Sequence, residues 1–366
     1  MTFKISVNDS LVIKGLAILL IIFHNYFHWL SPRIGENQFS FNESILTKLS
    51  NYSITSLIDL IQFSFTYFGH YGVQLFIFLS GYGLTKAYGI VPFKLKPFLI
   101  KRITKIYITF TFAIIVLLIY NNLLLDNQIT LETLKTVFFR LSLVANWIPE
   151  RVFSLTGPFW FYSMIVQLYL CFPILLLINR KHKYGLWVVL ILSFLFTYIA
   201  NPYFLSFDLS LYYNFIGNLP VFVLGVILAY NSTYRFPKWL WVVALIIFIL
   251  GQFNNYLWHF SPMTFVLIAV PAILFFNKKI RAAYVNKIVL YVGSLSMYLF
   301  AVNGFLRKPW IGFSNNESLA FYTYLYFLIF LICVFIMAIL LQKIEKIVLK
   351  YLDLLNQFYQ KDKIHF

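Results

Sequence analysis

The stretch Lys14–His28, KGLAILLIIFHNYFH, has a lysine at its start and two histidines near its end within an otherwise apolar run. Together with its apolar flanks, to about residues 11–31, it is long enough to predict a helix that crosses a lipid bilayer. An ionisable group inside such a helix is costly, so it normally faces the protein interior or a water-filled cavity and serves a function. Imidazole titrates nearer to neutral pH than any other side chain. His24 and His28 are therefore candidates for moving protons.

The rest of the chain is equally apolar. Its 366 residues are 61% hydrophobic and only 11% charged, a composition that excludes an ordinary soluble domain. The first run lacks a small-residue cleavage site and is longer than a signal-peptide core, so we expect it to remain as a helix. We predict an all-α fold, a polytopic transmembrane helical bundle in which residues 1–366 form one membrane domain. About ten spans are expected, near residues 11–31, 67–88, 104–124, 159–178, 185–201, 212–230, 239–256, 262–276, 288–305 and 320–342. Residues 51–66 are expected to form an interfacial helix before the second span.

The distribution of basic residues explains the formal net charge of +17. If the amino terminus is cytoplasmic, all but seven of the 29 Lys and Arg residues lie toward the cytoplasmic side. This asymmetry obeys the positive-inside rule, so we predict that both termini are cytoplasmic and that most of the charge meets anionic lipid heads. Nucleic-acid binding is not indicated. The residues on the opposite side are Arg33, Lys48, Lys135, Arg140, Arg151, Arg307 and Lys308.

The two cysteines give no sign of a disulfide or a metal site. Cys171 and Cys333 both lie within predicted spans, where no disulfide framework or thiolate ligand set is implied. The sequence also shows no Gly-rich phosphate loop and no G-x-S-x-G elbow. We therefore predict neither a bound metal nor a resident cofactor.

Several short motifs, taken together and in order, resemble those of the acyltransferase family 3 membrane proteins. The resemblance covers nearly the whole chain and rests on the order and spacing of the motifs, since each one is short and mostly apolar. The motifs are Lys14–His28, Gly72–Tyr82 (GVQLFIFLSGY) followed by Phe98–Tyr107 (FLIKRITKIY), Trp160–Tyr162 leading into Gln167–Pro173 (QLYLCFP), Leu219–Gly225 (LPVFVLG) and Gly293–Phe300 (GSLSMYLF).

The resemblance implies an enzyme that moves acyl groups from a cytoplasmic thioester donor to glycans. On that basis His24 is the predicted catalytic base, or the carrier of the acyl group across the membrane. Lys14, Arg102 and Lys105 are the predicted ligands of the phosphates of coenzyme A, because cationic side chains suit phosphate recognition. Lys105 and Arg102 also follow from topology alone, and in that alternative they only meet lipid heads.

Other motif residues have a functional and a structural interpretation. His28 is a candidate catalytic or relay residue, or a residue that only packs. His70 is a candidate catalytic or relay residue that would line the acceptor site, or a member of an interfacial aromatic belt. Ser80 is more typical of a close helix approach than of an acyl-carrying nucleophile. The remaining candidates for acceptor contacts, or for structural roles within their motifs, are Trp160, Gln167, Tyr169 and Asn303.

The first motif departs from the family pattern in its spacing. Family members usually have ten residues between the basic residue and the histidine, whereas nine separate Lys14 from His24. At about 100° per residue the two side chains point about 80° apart, and Asn25 occupies the position that the family spacing predicts. The second motif has Gln74 where many members carry an acid. No predicted span contains an acid, so a carboxylate that orients a histidine has to come from a loop.

We expect a membrane O-acyltransferase that takes an acyl group, most plausibly acetyl, from its coenzyme A thioester. The expected acceptor is a cell-surface or lipid-linked glycan, bound on the outer side with help from loops 32–66 and 125–158. The expected location is the bacterial cytoplasmic membrane, with lipids as further partners. One alternative is a transporter or exporter of glycan or lipid-linked sugar that uses His24 and His28 as a proton relay. Another is a non-catalytic subunit of a polysaccharide machine.

Overall fold

The computed structural model describes residues 3–31, 36–44, 57–124, 128–233, 236–279, 283–317 and 320–362. Over these ranges the chain is helical and has no strand, which confirms the all-α prediction. The helices are α1 Val7–Phe27, α2 Leu57–Phe68, α3 Gly72–Tyr88, α4 Leu95–Leu124, α5 Leu131–Leu141, α6 Trp160–Lys181, α7 Gly185–Leu205, α8 Phe215–Tyr230, α9 Trp239–Gly251, α10 Asn255–Trp258, α11 Ser261–Lys279, α12 Ala283–Leu306, α13 Lys308–Asn315 and α14 Ala320–Asp362. Short 3₁₀ turns lie at Gly69–Tyr71, Ala145–Trp147, Pro149–Arg151, Gly157–Phe159 and Leu211–Tyr213.

Each predicted span coincides with helical structure, but some of these helices are too short to cross the thickness of a bilayer alone. In the described part of the chain, seven helical stretches are long and apolar enough to cross a membrane. Helices α8 and α9 are apolar but shorter, and α3 has 17 residues. A multi-span bundle is thus supported, whereas the number ten and the cytoplasmic termini stay predictions. The seven stretches are Val7–Phe27, Leu95–Leu124, Gly157–Lys181, Gly185–Leu205, Ser261–Lys279, Asn286–Leu306 and Phe321–Leu352.

Two predicted boundaries differ from the structure. The interfacial helix expected over 51–66 corresponds to α2, which begins at Leu57, and residues 51–56 lie outside the described ranges. The last helix continues past residue 342 and brings Glu345 into the bundle, where its carboxylate is buried and accepts a hydrogen bond from Thr109 at 2.8 Å. Glu345 lies beyond the predicted span 320–342, so it does not contradict the absence of acids from the predicted spans; it is buried because α14 continues past the end of its apolar run.

Helix α1 is placed in the middle of the bundle, in contact with α2, α3, α11 and α12. Its start is a capping box: the Ser6 hydroxyl accepts from the Asp9 N–H at 3.1 Å, and the Asp9 carboxylate accepts from the Ser6 N–H at 3.0 Å. Such reciprocal bonds satisfy backbone donors that a helix start leaves open. Asn277 of α11 donates to the same carboxylate at 2.8 Å. The position of α1 is therefore set at its first turn.

Two pairs of glycines allow the tightest helix contacts. Helices α1 and α12 run side by side in the same direction, and a Cβ at Gly15 or Gly293 would overlap a carbonyl oxygen of the partner helix. Helices α3 and α8 meet in the same manner at Gly81 and Gly225. In a membrane, helix association depends on close packing rather than on the hydrophobic effect, so small residues mark such contacts. The structural interpretation of the Ser80 motif, a close helix approach, agrees with this contact.

Replacing Gly81 with valine should destabilise the folded protein, whereas Gly83→Val should change it little. A Cβ at Gly81 would overlap the Phe222 carbonyl oxygen, while a Cβ at Gly83 would meet nothing within 4 Å. Both glycines lie on α3, so the change in helix propensity is the same and only the packing differs. Overpacking of this kind costs about 1–3 kcal/mol or more. Thermal denaturation in detergent measures the effect, and equal midpoints for the two variants would show that the α3–α8 contact yields readily.

Candidate active site

His24 is held by hydrogen bonds on both ring nitrogens. Its Nδ1 lies 3.0 Å from the carbonyl oxygen of Thr66 and 3.3 Å from that of Phe65, near the end of α2. A carbonyl oxygen only accepts, so Nδ1 carries a hydrogen and donates it. The absence of a side chain at Gly69 lets this segment approach α1, since a Cβ there would lie 2.7 Å from the Cβ of His24.

The other nitrogen of His24 shares a proton with a carboxylate. Nε2 lies 2.5 Å from Oε2 of Glu36, a residue of the loop that follows α1. With Nδ1 already protonated, this contact requires a proton between Nε2 and the carboxylate. Burial alone would raise the pKa of Glu36, but the neighbouring His28 and the hydrogen bond from His24 outweigh it, so the pKa lies below its usual range. Because no predicted span contains an acid, a carboxylate that orients the histidine is expected to come from a loop, and Glu36 is such a carboxylate.

Both other candidate histidines lie against His24. The His28 ring stacks on the His24 ring with centroids 4.4 Å apart, and its Nδ1 donates to the His24 carbonyl oxygen at 2.6 Å. The His70 ring lies 5.4 Å from that of His24. His70 is 3% exposed, so the alternative that placed it in an interfacial aromatic belt is wrong. The structure brings the three histidines into one cluster.

This cluster lines a cavity of about 390 Å³, which we call the histidine cavity. Trp160, a predicted acceptor contact, forms part of its wall and meets the Phe39 ring edge-on with centroids 5.1 Å apart. The two loops expected to bind an acceptor both contribute, through Phe39 and Phe153 respectively. The cavity is lined by His24, His28, Glu36, His70, Trp160 and Arg307, among others.

Asn303 and Asn25 join two helices at the edge of the histidine cavity. The Asn25 side-chain N–H donates to the Asn303 side-chain oxygen at 2.7 Å, and both residues are buried. The Asn303 amide in turn donates to the carbonyl oxygens of Leu299 and Phe300. Asn25, which has the family position of the base, therefore has a positioning role between α1 and α12.

The same residues have the spacing of a metal site. One potential ligand atom from each of His24, His28 and Glu36 lies within 4.8 Å of the other two. Both histidines donate through Nδ1 to backbone carbonyls, an arrangement that is common when Nε2 binds a metal. A divalent cation such as zinc would fit this donor set. The sequence-based expectation of no metal stays a prediction, and chelation tests it below.

The predicted donor-binding cations form a second cluster, at the amino end of α1. Lys14 is close enough to Arg102 and Lys105 for their charges to act on it. The Arg102 guanidinium lies over the Tyr88 ring, 5.8 Å from its centroid, and its Nε is buried without a hydrogen-bond partner among the described residues. Tyr169 lies near this guanidinium and near the Ser80 side chain. We call Lys14, Arg102 and Lys105 the cation cluster.

The cation cluster and the histidine cavity are two sites rather than one. The helical rise places Lys14 and His24 about 15 Å apart along α1. His24 bonds to Glu36 and the charged neighbours of Lys14 are Arg102 and Lys105, so a pairing of Lys14 with His24 is not formed.

Gln167 lies outside both sites. Its side-chain N–H groups donate to Asn146 at 3.0 Å and to the Leu143 carbonyl oxygen at 3.3 Å, and its oxygen accepts from Asn146. Leu143 has a positive φ of 60°, a strained conformation that these bonds help to hold. Of the predicted motif residues, Gln167 thus has a structural role in anchoring the segment before α6.

Sequence reasoning missed Glu36 and Arg307 as members of the site. Glu36 is one of only two acids, with Glu43, in residues 32–56, and Arg307 is one of the seven basic residues on the predicted outer side. The few acids of the first loop and the few basic residues of the outer side can be seen in the sequence. The sequence does not say which of them contacts a buried histidine. That choice needs the packing of α12 and the first loop against α1.

Comparisons with known proteins agree with the motifs. No curated protein and no solved structure matched the chain at a significant level. A comparison with protein families matches residues 10–341 to acyltransferase family 3, described as an acyltransferase domain. The match spans the helices that carry both sites, and the resemblance read from the motifs is confirmed. The chain belongs to the acyltransferase family 3, and with its apolar helices it is a multi-pass membrane acyltransferase.

Proposed function

We propose that the protein transfers an acyl group, acetyl by preference, from coenzyme A to a hydroxyl of a cell-surface or lipid-linked glycan. The observation that carries the proposal is the 2.5 Å contact between Nε2 of His24 and Oε2 of Glu36 at the wall of the histidine cavity. Because both ring nitrogens of His24 are already engaged with a proton, the Glu36 carboxylate is the part of the pair that can take the proton of a hydroxyl group, while the shared proton moves onto His24. The bacterial cytoplasmic membrane is the proposed location.

The reaction needs one proton transfer and one substitution at carbon. The acceptor hydroxyl gives its proton to the carboxylate of Glu36, and the shared proton moves fully onto Nε2 of His24, while the acceptor oxygen forms a bond to the thioester carbonyl carbon. The bond between that carbon and sulfur then breaks, and the proton passes to the thiolate of coenzyme A. His28 and His70 lie against His24 and provide a route by which the proton leaves the pair.

The cation cluster supports a donor site at the opposite end of α1. Three cations held together, one with a buried and unpartnered N–H, suit the phosphates of coenzyme A. The pantetheine arm would extend from there along α1 toward His24. The acceptor would enter the histidine cavity from the other end, where Trp160 and Phe39 offer ring faces and edges to a sugar.

Membranes that contain the protein should transfer labelled acetyl from acetyl-coenzyme A to an alkali-labile ester on cell-surface glycan. Membranes that lack the protein are the control. Transfer should continue in the presence of a chelator, because the proposed mechanism uses a proton and not a metal. Loss of transfer on chelation, with recovery on adding zinc, would assign the His24, His28 and Glu36 group to a metal instead. Vesicles that move sugar without acyl transfer would support the exporter.

Arg102→Ala should raise the KM for acyl-coenzyme A by about tenfold to a hundredfold, the range expected for losing one or two hydrogen bonds to a charged group. The KM for the acceptor should not change, since the acceptor binds at the other end of α1. Arg102→Lys should recover part of the affinity if only the charge matters. Lys101→Ala is the matched control, because Lys101 is exposed and adjacent. If both alanine variants change the KM for acyl-coenzyme A equally, Arg102 does not bind the donor specifically, and the cation cluster only meets lipid heads.

A further inference from the structure

Arg307 is positioned by a tight contact between the end of α12 and the turn before α6. A Cβ at Gly304 would lie 2.5 Å from Oγ1 of Thr156 and 2.7 Å from Cδ of Pro158. Only glycine permits this approach, which carries the first residue after α12 to the wall of the histidine cavity. A Cβ at Gly157 would lie 3.6 Å from Nη2 of Arg307, so the guanidinium rests directly against this turn.

The guanidinium of Arg307 has hydrogen-bonding capacity left over. Its Nη1 is buried and has no hydrogen-bond partner in the described ranges. Its carbon lies 5.6 Å from the centroid of the Trp29 ring, which covers it without accepting a strong hydrogen bond. Burial lowers the pKa of Arg307 to about 10, while the charge of Glu36 acts in the opposite direction. The guanidinium therefore keeps its positive charge at neutral pH.

None of the described residues accepts a hydrogen bond from Nη1 of Arg307. Glu36 is an acid whose charge acts on Arg307, but its Oε2 is already engaged by His24 at 2.5 Å. Among the described residues, the lining of the histidine cavity thus has one carboxylate, which is engaged by His24, and one guanidinium. A buried polar group without a partner needs an explanation, and a ligand that completes its bonds is one. Because an arginine only donates, the ligand has to be an acceptor, and an oxygen with negative charge forms the strongest bond with a guanidinium.

We propose that Arg307 binds the oxygen of the acyl carbonyl as that oxygen becomes negatively charged. This inference rests on the proposed acyl transfer and adds the group that stabilises its intermediate. As the acceptor oxygen bonds to the carbonyl carbon, the electron pair of the C=O double bond moves to the oxygen. Arg307 donates to this oxyanion, while the His24–Glu36 pair takes the hydroxyl proton. The C=O bond then re-forms and the C–S bond breaks. A preorganised donor aimed at the position where the charge develops is the usual means of stabilising it.

Arg307→Gln should lower kcat by about 10²- to 10³-fold, the range seen when one oxyanion donor is removed. The KM values for acyl-coenzyme A and acceptor should change by no more than about twofold, because the charge exists only in the transition state. Lys308→Gln is the matched control: Lys308 is the next residue, is exposed and loses the same charge. Arg307→Ala should regain part of its kcat when guanidinium chloride is added at low concentration, which a structural role would not produce.

Each other outcome overturns the inference. A raised KM for the acceptor with kcat preserved would mean that Arg307 binds a carboxylate or phosphate of the acceptor. An unchanged kcat per folded molecule would mean that it has no catalytic role. A fall in kcat with reduced thermal stability and no guanidinium rescue would make it structural. If the wild-type protein transfers no acyl group, the proposed function itself fails, whereas wild-type transfer with full activity in the Arg307 variants rejects this inference alone.

Discussion

Replacing His24 with glutamine should remove most acyl transfer, with a loss of about 10²- to 10⁴-fold, while the protein still accumulates in the membrane. The magnitude is that of general acid–base catalysis. Glutamine can still donate to the Thr66 carbonyl oxygen that His24 contacts at 3.0 Å, but it cannot take a proton. The rate of acetyl transfer per folded molecule, with saturating acyl-coenzyme A, measures the effect.

Replacement of His28 or of His182 should reduce acyl transfer less than replacement of His24. His28→Gln should cost no more than about tenfold, or roughly 1.4 kcal/mol of barrier, because its Nδ1 is tied to the His24 carbonyl oxygen. His182 is exposed and lies at the end of α6, so His182→Gln should retain full activity. A larger loss in His28→Gln than in His24→Gln would move the proton transfer to His28. Full activity in both would reject the histidine mechanism.

Replacing Glu36 with glutamine should lower kcat by at least about 100-fold, with little change in the KM for acyl-coenzyme A. The carboxylate accepts from His24 Nε2 at 2.5 Å, and a neutral amide cannot stabilise the proton that the pair receives. The expected KM is unchanged because the cation cluster lies about 15 Å away along α1. Initial rates at varied donor concentration separate the two parameters.

Glu43→Gln is the matched control for this change. Glu43 is the other acid in residues 32–56 and is exposed, so the variant removes the same charge from the same loop without touching His24. It should be as active as the wild type. Equal losses in the two variants would show that the loop needs negative charge in general, and full activity in Glu36→Gln would leave His24 to work without a carboxylate.

The amino-acid sequence was sufficient for the class of fold and for the two ends of the proposed reaction path. Apolar runs interrupted by basic loops predict a helical membrane bundle, because bilayer thickness and the cost of burying charge act on composition directly. The cost of burying charge also singled out His24 on α1, and the resemblance to the family pointed to the cations Lys14, Arg102 and Lys105. These features are local in sequence, so periodicity, spacing and motif resemblance can report them.

Other features of the site depend on segments that are distant in sequence. The Thr66 carbonyl oxygen, the Glu36 carboxylate and the Arg307 guanidinium reach the surroundings of His24 from three different segments. Hydropathy does not distinguish Glu36 from Glu43, or Arg307 from Lys308. The difference arises from burial, because only one member of each pair is drawn into the cavity by the packing around it.

Three features can be read from the amino-acid sequence alone: the family, the helical membrane architecture and a histidine on the first helix. Three others arise from the folding of the chain: the bond of this histidine to Glu36, the packing of His28 and His70 near its ring, and the place of Lys14 in a separate cluster. The physical reason is the close approach of helices at Gly69, Gly293 and Gly304. Each of these contacts depends on how the surface of one segment packs against the surface of another. A single stretch of sequence encodes only one of the two surfaces.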